Sequence, residues 1–465
     1  MNKEKEIRIL EQAEVIDAGS EGMAVCRVDN RVVFVPYVVP GDIIDIRIVK
    51  RKRKYLEGRV VHFHQYSSKR TEARCSHFGV CGGCRWQNMK YEEQLYYKQK
   101  QVYDSLKRIG GIESPDVRPI LGSENVFCYR NKVEYTFSNL RWFTEKKSDV
   151  IEDPNALGFH IPGMFDKVLD IEKCLLQDDF TNTVRLKVKA WALENHLRFY
   201  DIRTHEGFLR NLIIRNTLDG QWMVIVVFAL DLKKEIQEMM QHIHTSFPQI
   251  TSLSYIVNEK LNDTISDQKI IPFHGEMYIT ESIDNINFRI SPVSFFQTNT
   301  IQAAKLYNIA IGFAGLKGDE IVYDLYSGTG TISLLASGKV KKVIGIEYVD
   351  AAITDARINA EVNGIVNTEF FSGDICKILD DEFILRNNSP DVIITDPPRA
   401  GMHPSVVERI VKTAPGKVVY ISCNPATQAR DIALMTDIYR ISAIQPVDMF
   451  PHTQHVENVI LLEKV

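Results

Sequence analysis

The chain has 465 residues, 45% of them hydrophobic and 25% charged, which suits about two to four soluble globular domains and excludes a fibrous or disordered chain. A formal charge of −4 hides an uneven distribution: from Lys50 to Arg74 there are nine Lys or Arg against two Glu, so an anionic partner would be drawn to a local patch. Eight cysteines are too sparse for a disulfide scaffold, and any that cluster point to metal ligands or catalysis. The start, "MNKEKEIRIL", carries no secretory apolar stretch, and the longest apolar run, "WMVIVVFAL", is too short to span a bilayer and reads as a buried strand. A cytoplasmic protein without membrane contact is expected.

From about Val15 to Phe63 the sequence reads as short strands. An Asp-Asn turn divides "VCRVDNRVVFV", a Pro-Gly turn lies in "VPGD", "IIDIRIV" alternates, and "GRVVHF" closes the set. Such a run over residues 1–68 suggests a small oligonucleotide-binding (OB-like) barrel. Its basic stretch, Lys50 to Tyr55, would fall on the tip of the last hairpin, where cations beside a tyrosine suit a phosphate backbone with stacked bases.

In "CSHFGVCGGC", Cys75, Cys81 and Cys84 have the spacing C-x5-C-x2-C, with glycines that let the loop turn tightly. Three thiolates need a fourth ligand. Cys128 and Cys174 are the candidates, and Cys174 is preferred because a polar segment precedes it. Spacing alone favours a structural zinc over an iron–sulfur cluster, and it differs from the C-x3-C-x2-C of radical enzymes. Residues 69–290 continue with a long polar helix, Tyr91 to Ile109, and many strand-like runs, as expected of a central mixed α+β domain.

Residues 291–465 alternate strands and helices in the manner of a doubly wound α/β sheet. "EIVYDLYSGTGTISLLA" is a strand, a Gly-rich turn and a helix, in which Gly328 and Gly330 admit a ligand close to the backbone. "KVIGIE" ends in Glu347, placed to accept hydrogen bonds from ribose hydroxyls, "FFSGDI" supplies Asp374, and "DVIITDPPRAG" supplies Asp396. Asp/Gly-turn, Glu, Asp and Asp-Pro-Pro in this order resemble class I S-adenosylmethionine methyltransferases, whose domain is Rossmann-like.

The fifth strand of that pattern, "KVVYI", runs into Cys423, and the last strand, "NVILLEKV", follows Glu457. Taken alone, Cys423 would be a core cysteine more often than a nucleophile. A thiol, a carboxylate and a methyl donor at one sheet edge change that reading. Uracil is a poor nucleophile at C5, but addition of a thiolate at C6 makes C5 enolate-like, and a base must then remove the C5 proton so that the thiol can leave. Cys423 and Glu457 suit those two roles. His452 and His455 read as polar loop packing.

"SFFQTN", "DLYSGTGTISL", "DPPRAG", "YISCNP" and "HVENVILL" together resemble the RNA 5-methyluridine methyltransferases, and the likeness runs almost the length of the chain. "EVIDAGSEGMAV" is similar to the start of their TRAM domain, an RNA-binding barrel. The resemblance implies that Cys423 is the nucleophile and Glu457 the base, that Gln297, Tyr326, Glu347, Asp374 and Asp396 surround S-adenosyl-L-methionine, and that Phe295 stacks on a flipped uracil. Thr331 stands where relatives carry Asn. The resemblance further implies a [4Fe-4S] cluster on Cys75, Cys81, Cys84 and Cys174, in place of the zinc favoured by spacing. Relatives with both features mostly modify large-subunit (23S) ribosomal RNA, whereas some modify the T-loop of transfer RNA. A monomer is expected. The rival readings are methylation of a base amino group by Asp-Pro-Pro, which needs no thiol, and an RNA chaperone built on an inactive methyltransferase fold.

Overall fold

The computed structural model describes residues 9–19, 21–144 and 153–465. The first eight residues, and Ser20 within the TRAM-like segment, lie outside the described residues. The chain divides into two compact units, one formed by Met1–Val126, Cys423–Ala433 and Ile444–Asn458, the other by Phe127–Ser422, Leu434–Ala443 and Val459–Val465.

In the first unit, strands β1 (Ile9–Ala18), β2 (Met23–Val28), β3 (Arg31–Pro36), β4 (Ile43–Arg51) and β5 (Tyr55–Gln65) close into a barrel in the order β1-β2-β3-β5-β4. Alternating apolar residues fill it, among them Val15, Cys26, Val33, Val35, Ile44, Ile46 and Leu56. Asp29 and Asn30 both take positive φ, 50° and 59°, as a two-residue hairpin turn requires. β1 begins six residues before the alternation in the sequence becomes readable, because the ladder is irregular between Leu10 and Ala13 and Gln12 has φ 50°. The basic stretch does form the β4–β5 tip, with the Lys52 amide donating to Tyr55 O at 2.9 Å.

Helix α1 (Tyr91–Arg108) buries Gln94, Tyr97, Lys98, Val102 and Leu106. Their three- and four-residue spacing makes one face, and that face is partly polar. Lys98 Nζ meets Asp448 Oδ1 at 2.5 Å with both side chains fully buried, and Tyr91 donates to Asp448 Oδ2 at 2.8 Å.

The second unit contains an eight-stranded sheet built from β6 (Lys132–Ser138), β7 (Arg141–Trp142), β8 (Ala156–Ile161), β9 (Met164–Asp170), β10 (Leu209–Asn216), β11 (Trp222–Phe228), β12 (Ile250–Val257) and β13 (Ile270–Gly275). Its order is β13-β12-β11-β10-β6-β8-β9-β7. Helices α2 (Asp179–Glu194) and α3 (Lys233–Ser246) pack against it: Val184, Val188, Met239 and Ile243 share a core with Tyr135, Leu212, Val224 and Val226. β11 is buried throughout, as its unbroken apolar run requires. A hairpin of β14 (Ile279–Ile283) and β15 (Ile286–Ile290) follows.

After α4 (Thr300–Ala314) comes the seven-stranded sheet. Its elements are β16 (Ile321–Leu325), α5 (Thr331–Ser337), β17 (Lys342–Glu347), α6 (Asp350–Val362), β18 (Thr368–Ser372), α7 (Ile375–Ile378), α8 (Asp381–Asn387), β19 (Val392–Thr395), α9 (Pro404–Thr413), β20 (Lys417–Ser422), α10 (Pro425–Ala433), β21 (Tyr439–Val447) and β22 (Glu457–Lys464). The strand order is β18-β17-β16-β19-β20-β22-β21. β16 pairs in parallel with both β17 and β19, so the order reverses there, the place where open α/β sheets take ligands. β21 and β22 are neighbours joined by a loop too short for a crossover, which makes them antiparallel.

Candidate active site

At the switch point β16 ends in Leu325 and the backbone turns through Tyr326 (φ 63°), Gly328 (φ 55°) and Gly330 (φ 80°). The amides of Tyr326 and Ser327 both donate to Ile346 O, at 2.9 and 3.1 Å, tying the turn to the end of β17. Glu347 then closes it: Oε2 accepts from the Gly328 amide at 3.1 Å and Oε1 from the Val349 amide at 3.0 Å. Phe370 packs beneath. A Cβ on Gly345 would stand 2.5 Å from its ring and one on Gly330 3.1 Å, so both positions admit only hydrogen.

Four carboxylates lie along this edge. Asp374 caps α7, accepting from the Cys376 amide at 3.0 Å. Asp324, the aspartate of the Asp/Gly-turn, is fully buried and accepts from Ser333 Oγ at 2.6 Å. Burial pushes its pKa up to about 7 against the opposing Ser333 bond, and the nearby Glu347 adds to the rise. Asp396 directly follows β19 and keeps part of its surface open, yet burial, with Asp324 close by, raises it in the same direction. A site that holds two carboxyls above their ordinary range favours a cationic or hydrogen-bonding ligand.

The segment from Ser291 to Asn299 is pinned while its phenylalanine stands free. Asn131 donates to Thr298 O through its amide (2.8 Å) and to Gln297 O through Nδ2 (3.1 Å), and Arg215 donates to Ser294 O at 3.1 Å. Ser291 and Ser294 hydrogen-bond to Asp355. Phe296 is buried against Phe288, whereas Phe295 is 71% exposed, an aromatic face on a fixed support.

In the first unit, Cys423 is half-buried and directly follows β20; Glu457, the first residue of β22, is buried. α10 begins two residues after Cys423, with Asn424 Oδ1 accepting from the Ala426 amide at 3.2 Å. Gln428 in that helix and Asn458 next to Glu457 form a reciprocal buried pair: Asn458 Nδ2 donates to Gln428 Oε1 at 2.8 Å, and Gln428 Nε2 to Asn458 O at 3.2 Å. The elements bearing the thiol and the carboxylate are thus fastened one residue from Glu457. The loop before β22 is held as firmly. His452 donates its amide to Gln94 Oε1 (2.8 Å), and its carbonyl accepts from the Arg85 and Trp86 amides at 2.9 and 3.0 Å. His455 donates its amide to Thr453 Oγ1 at 3.3 Å.

The expected metal set is not assembled. Cys75, Cys81 and Cys84 share a loop of the first unit, Cys174 belongs to the second, and among the described residues no group of three or more His, Cys, Asp or Glu side chains is placed to hold a metal ion. Burial raises the Cys81 thiol against the lowering bond from the Gly83 amide, and Cys75 nearby adds to the rise.

A nucleotide-binding switch point with carboxylates at successive strand ends, on this strand order, defines an S-adenosylmethionine-dependent methyltransferase fold. Residues 209–465 match the family described as tRNA (Uracil-5-)-methyltransferase, and residues 2–61 match the TRAM domain. The chain belongs to the RNA uracil-5-methyltransferase family. It is 54% identical over 450 residues to an RNA methyltransferase of Bacteroides thetaiotaomicron, covering 96% of this chain and 99% of that protein. It is 50% identical over 459 residues to one of Porphyromonas gingivalis, covering 97% and 99%. Among solved structures, the tRNA (uracil-54, C5)-methyltransferase of Pyrococcus abyssi in complex with S-adenosyl-L-homocysteine superposes with a TM-score of 0.76 at 29% identity, covering 97% of this chain and 100% of that one. The expected fold, the TRAM barrel and S-adenosylmethionine-dependent action on RNA stand. No helix among the described residues is long and apolar enough to cross a membrane.

Proposed function

We propose that the protein methylates C5 of a uridine in large-subunit ribosomal RNA through a covalent adduct on Cys423. The observation that carries this reading is the Gln428–Asn458 pair, which fastens the helix after Cys423 to the strand that opens with Glu457. Cys423 adds as thiolate to C6, and the electron pair of the C5–C6 double bond moves to give an enolate. S-adenosylmethionine would be held by Gln297, Tyr326, Gly328, Gly330, Glu347, Asp374 and Asp396, and would supply an electrophilic methyl group that C5 takes as S-adenosylhomocysteine leaves. Glu457 then takes the proton from C5, the double bond re-forms, and the Cys423 thiolate leaves. Phe295 stacks on the uracil, which must leave its helix to be reached.

The test is trapping. RNA containing 5-fluorouridine at the target should form a stable adduct with the wild type, because fluorine cannot leave as a cation, and none with Cys423→Ala. An undiminished adduct in the variant would move the nucleophile elsewhere. Transfer RNA is the second reading, favoured by the substrate named for the Pyrococcus structure. Mapping 5-methyluridine in total RNA from a deletion strain separates the two. The four cysteines carry a narrower reading, a [4Fe-4S] cluster with structural zinc as the alternative. No step runs through it, and iron, sulfide and zinc analysis of protein purified without oxygen decides it.

A further inference from the structure

Arg215, at the end of β10, is 3% exposed, and the partner of its guanidinium is a neutral group, the carbonyl oxygen of Ser294 at 3.1 Å. A buried guanidinium is ordinarily matched by a carboxylate, because the cost of removing it from water is otherwise not offset. None of the ion pairs among the described residues involves Arg215, and burial alone accounts for the lowering of its pKa to about 10.

Its neighbours deepen the imbalance. Arg215 lies directly opposite Lys132 in the β10–β6 register, so the two side chains share a sheet face, and like charges so placed repel. Burial lowers the pKa of Lys132, with Arg215 and Arg130 both opposing its charge and Glu134 offsetting them. Arg130 is folded back, its Nε donating to Lys132 O at 3.0 Å. The intervening Asn131 holds the segment that presents Phe295, as does Arg215 itself. Three cations therefore gather at the root of that segment, and Lys132 and Arg130 keep a partial opening to solvent.

We propose that Arg215, Lys132 and Arg130 form a phosphate-binding site at the base of the Phe295 segment, which takes a backbone phosphate of the RNA beside the uridine presented to Phe295. This rests on the reading of RNA as substrate with its base at Phe295. A nucleotide swung out of its stack turns its backbone, and a fixed cationic corner behind the stacking ring would hold that phosphate in the turned position. The anion supplies the counter-charge that Arg215 lacks, Glu134 acting on Lys132.

The experiment measures binding of a fluorescein-labelled RNA stem–loop with uridine in the loop, over a potassium chloride series, to the full chain and to Arg215→Met and Lys132→Met. Each variant should bind at least ~10-fold more weakly at moderate salt, and the slope of log affinity against log salt should shrink by about 0.7–0.9. Calorimetric affinity for S-adenosylhomocysteine should not change. The melting temperature of Arg215→Met should equal or exceed that of the wild type, because an unmatched buried charge has been removed. A role limited to holding Ser294 predicts the reverse: lower melting temperature, unaltered salt slope and an unaffected Lys132→Met. Either that pattern or a loss of S-adenosylhomocysteine affinity overturns the proposal. Lys132→Met, at a partly open position, decides the matter if Arg215→Met does not fold. Trapping on 5-fluorouridine RNA is run in parallel. If the wild type fails to trap, the parent reading falls; if it traps and only the salt slopes are unchanged, the phosphate site alone falls.

Discussion

Gln428 and Asn458 bond to each other inside the protein, side chain to side chain at 2.8 Å and side chain to backbone at 3.2 Å, with neither residue exposed. A buried amide stripped of its partner bears the full desolvation cost, so Asn458→Leu should destabilise the protein by about 1–3 kcal/mol. Adding Gln428→Leu should cost less than the sum of the single changes. Urea unfolding of both singles and the double checks this, and strict additivity would show that the pair is uncoupled.

Glu457→Gln preserves shape and hydrogen bonding but removes basicity. The variant should still attack through Cys423 and transfer the methyl group, and should then accumulate methylated RNA covalently bound to protein on unmodified substrate. Wild type should release tritium from 5-tritiated uridine in step with methylation. Normal turnover by the variant would assign the proton to another base or to water and leave Glu457 a positioning role.

Much of this was legible beforehand, for reasons that differ by region. The carboxylates at the ends of β17 and β19 declare themselves because parallel strands are continuous apolar runs and the polar residue that ends each run sits at the ligand edge. Cys423 follows the apolar run of β20 in the same way, whereas Glu457 stands at the head of the apolar run of β22. Asp324 is legible as the aspartate before the Gly-rich turn, but sequence offers no sign that Ser333, nine residues on, will reach back to it. Arg215 was equally silent. A guanidinium in a β-strand normally marks a solvated face, and only the three-dimensional register sets it against Lys132 without a carboxylate. The cysteine spacing was legible as a pattern, but spacing carries no information on whether four sulfurs converge.

The Lys98–Asp448 ion pair is fully buried at both ends. Removing one partner leaves an unmatched charge, so Lys98→Met should cost about 3–5 kcal/mol, whereas Lys98→Met with Asp448→Leu should recover much of that loss. The recovery will be incomplete, because Tyr91 also donates to Asp448. Denaturant unfolding of the two variants provides the comparison, and equal losses would show that Lys98 is stabilised by something other than Asp448.

Burial, reinforced by Lys98, lowers the pKa of His452 from 6.5 to about 4. The unfolded chain then binds more protons than the native one between those values, so this group's contribution is complete above pH 6.5 and is lost as pH falls through about 4. The loss amounts to at most ~3 kcal/mol. His452→Asn should flatten that part of the stability profile. Asn is the suitable replacement because His452 has φ 67°, a region that Asn tolerates. An identical acid limb in the variant would assign the titration to another group.

The Lys98–Asp448 pair also joins residues 350 positions apart, and this sets a timetable. A ribosome adding ~5–20 residues per second needs roughly 20–70 s to travel from one to the other. β1 to β5 draw only on near neighbours and can close the barrel within the opening moments of synthesis. Helix α1 has no such liberty. Until the last turn of the chain emerges with Asp448, the buried face of α1 carries a lysine with nowhere to go, so the nascent protein waits, half-built, for its own tail.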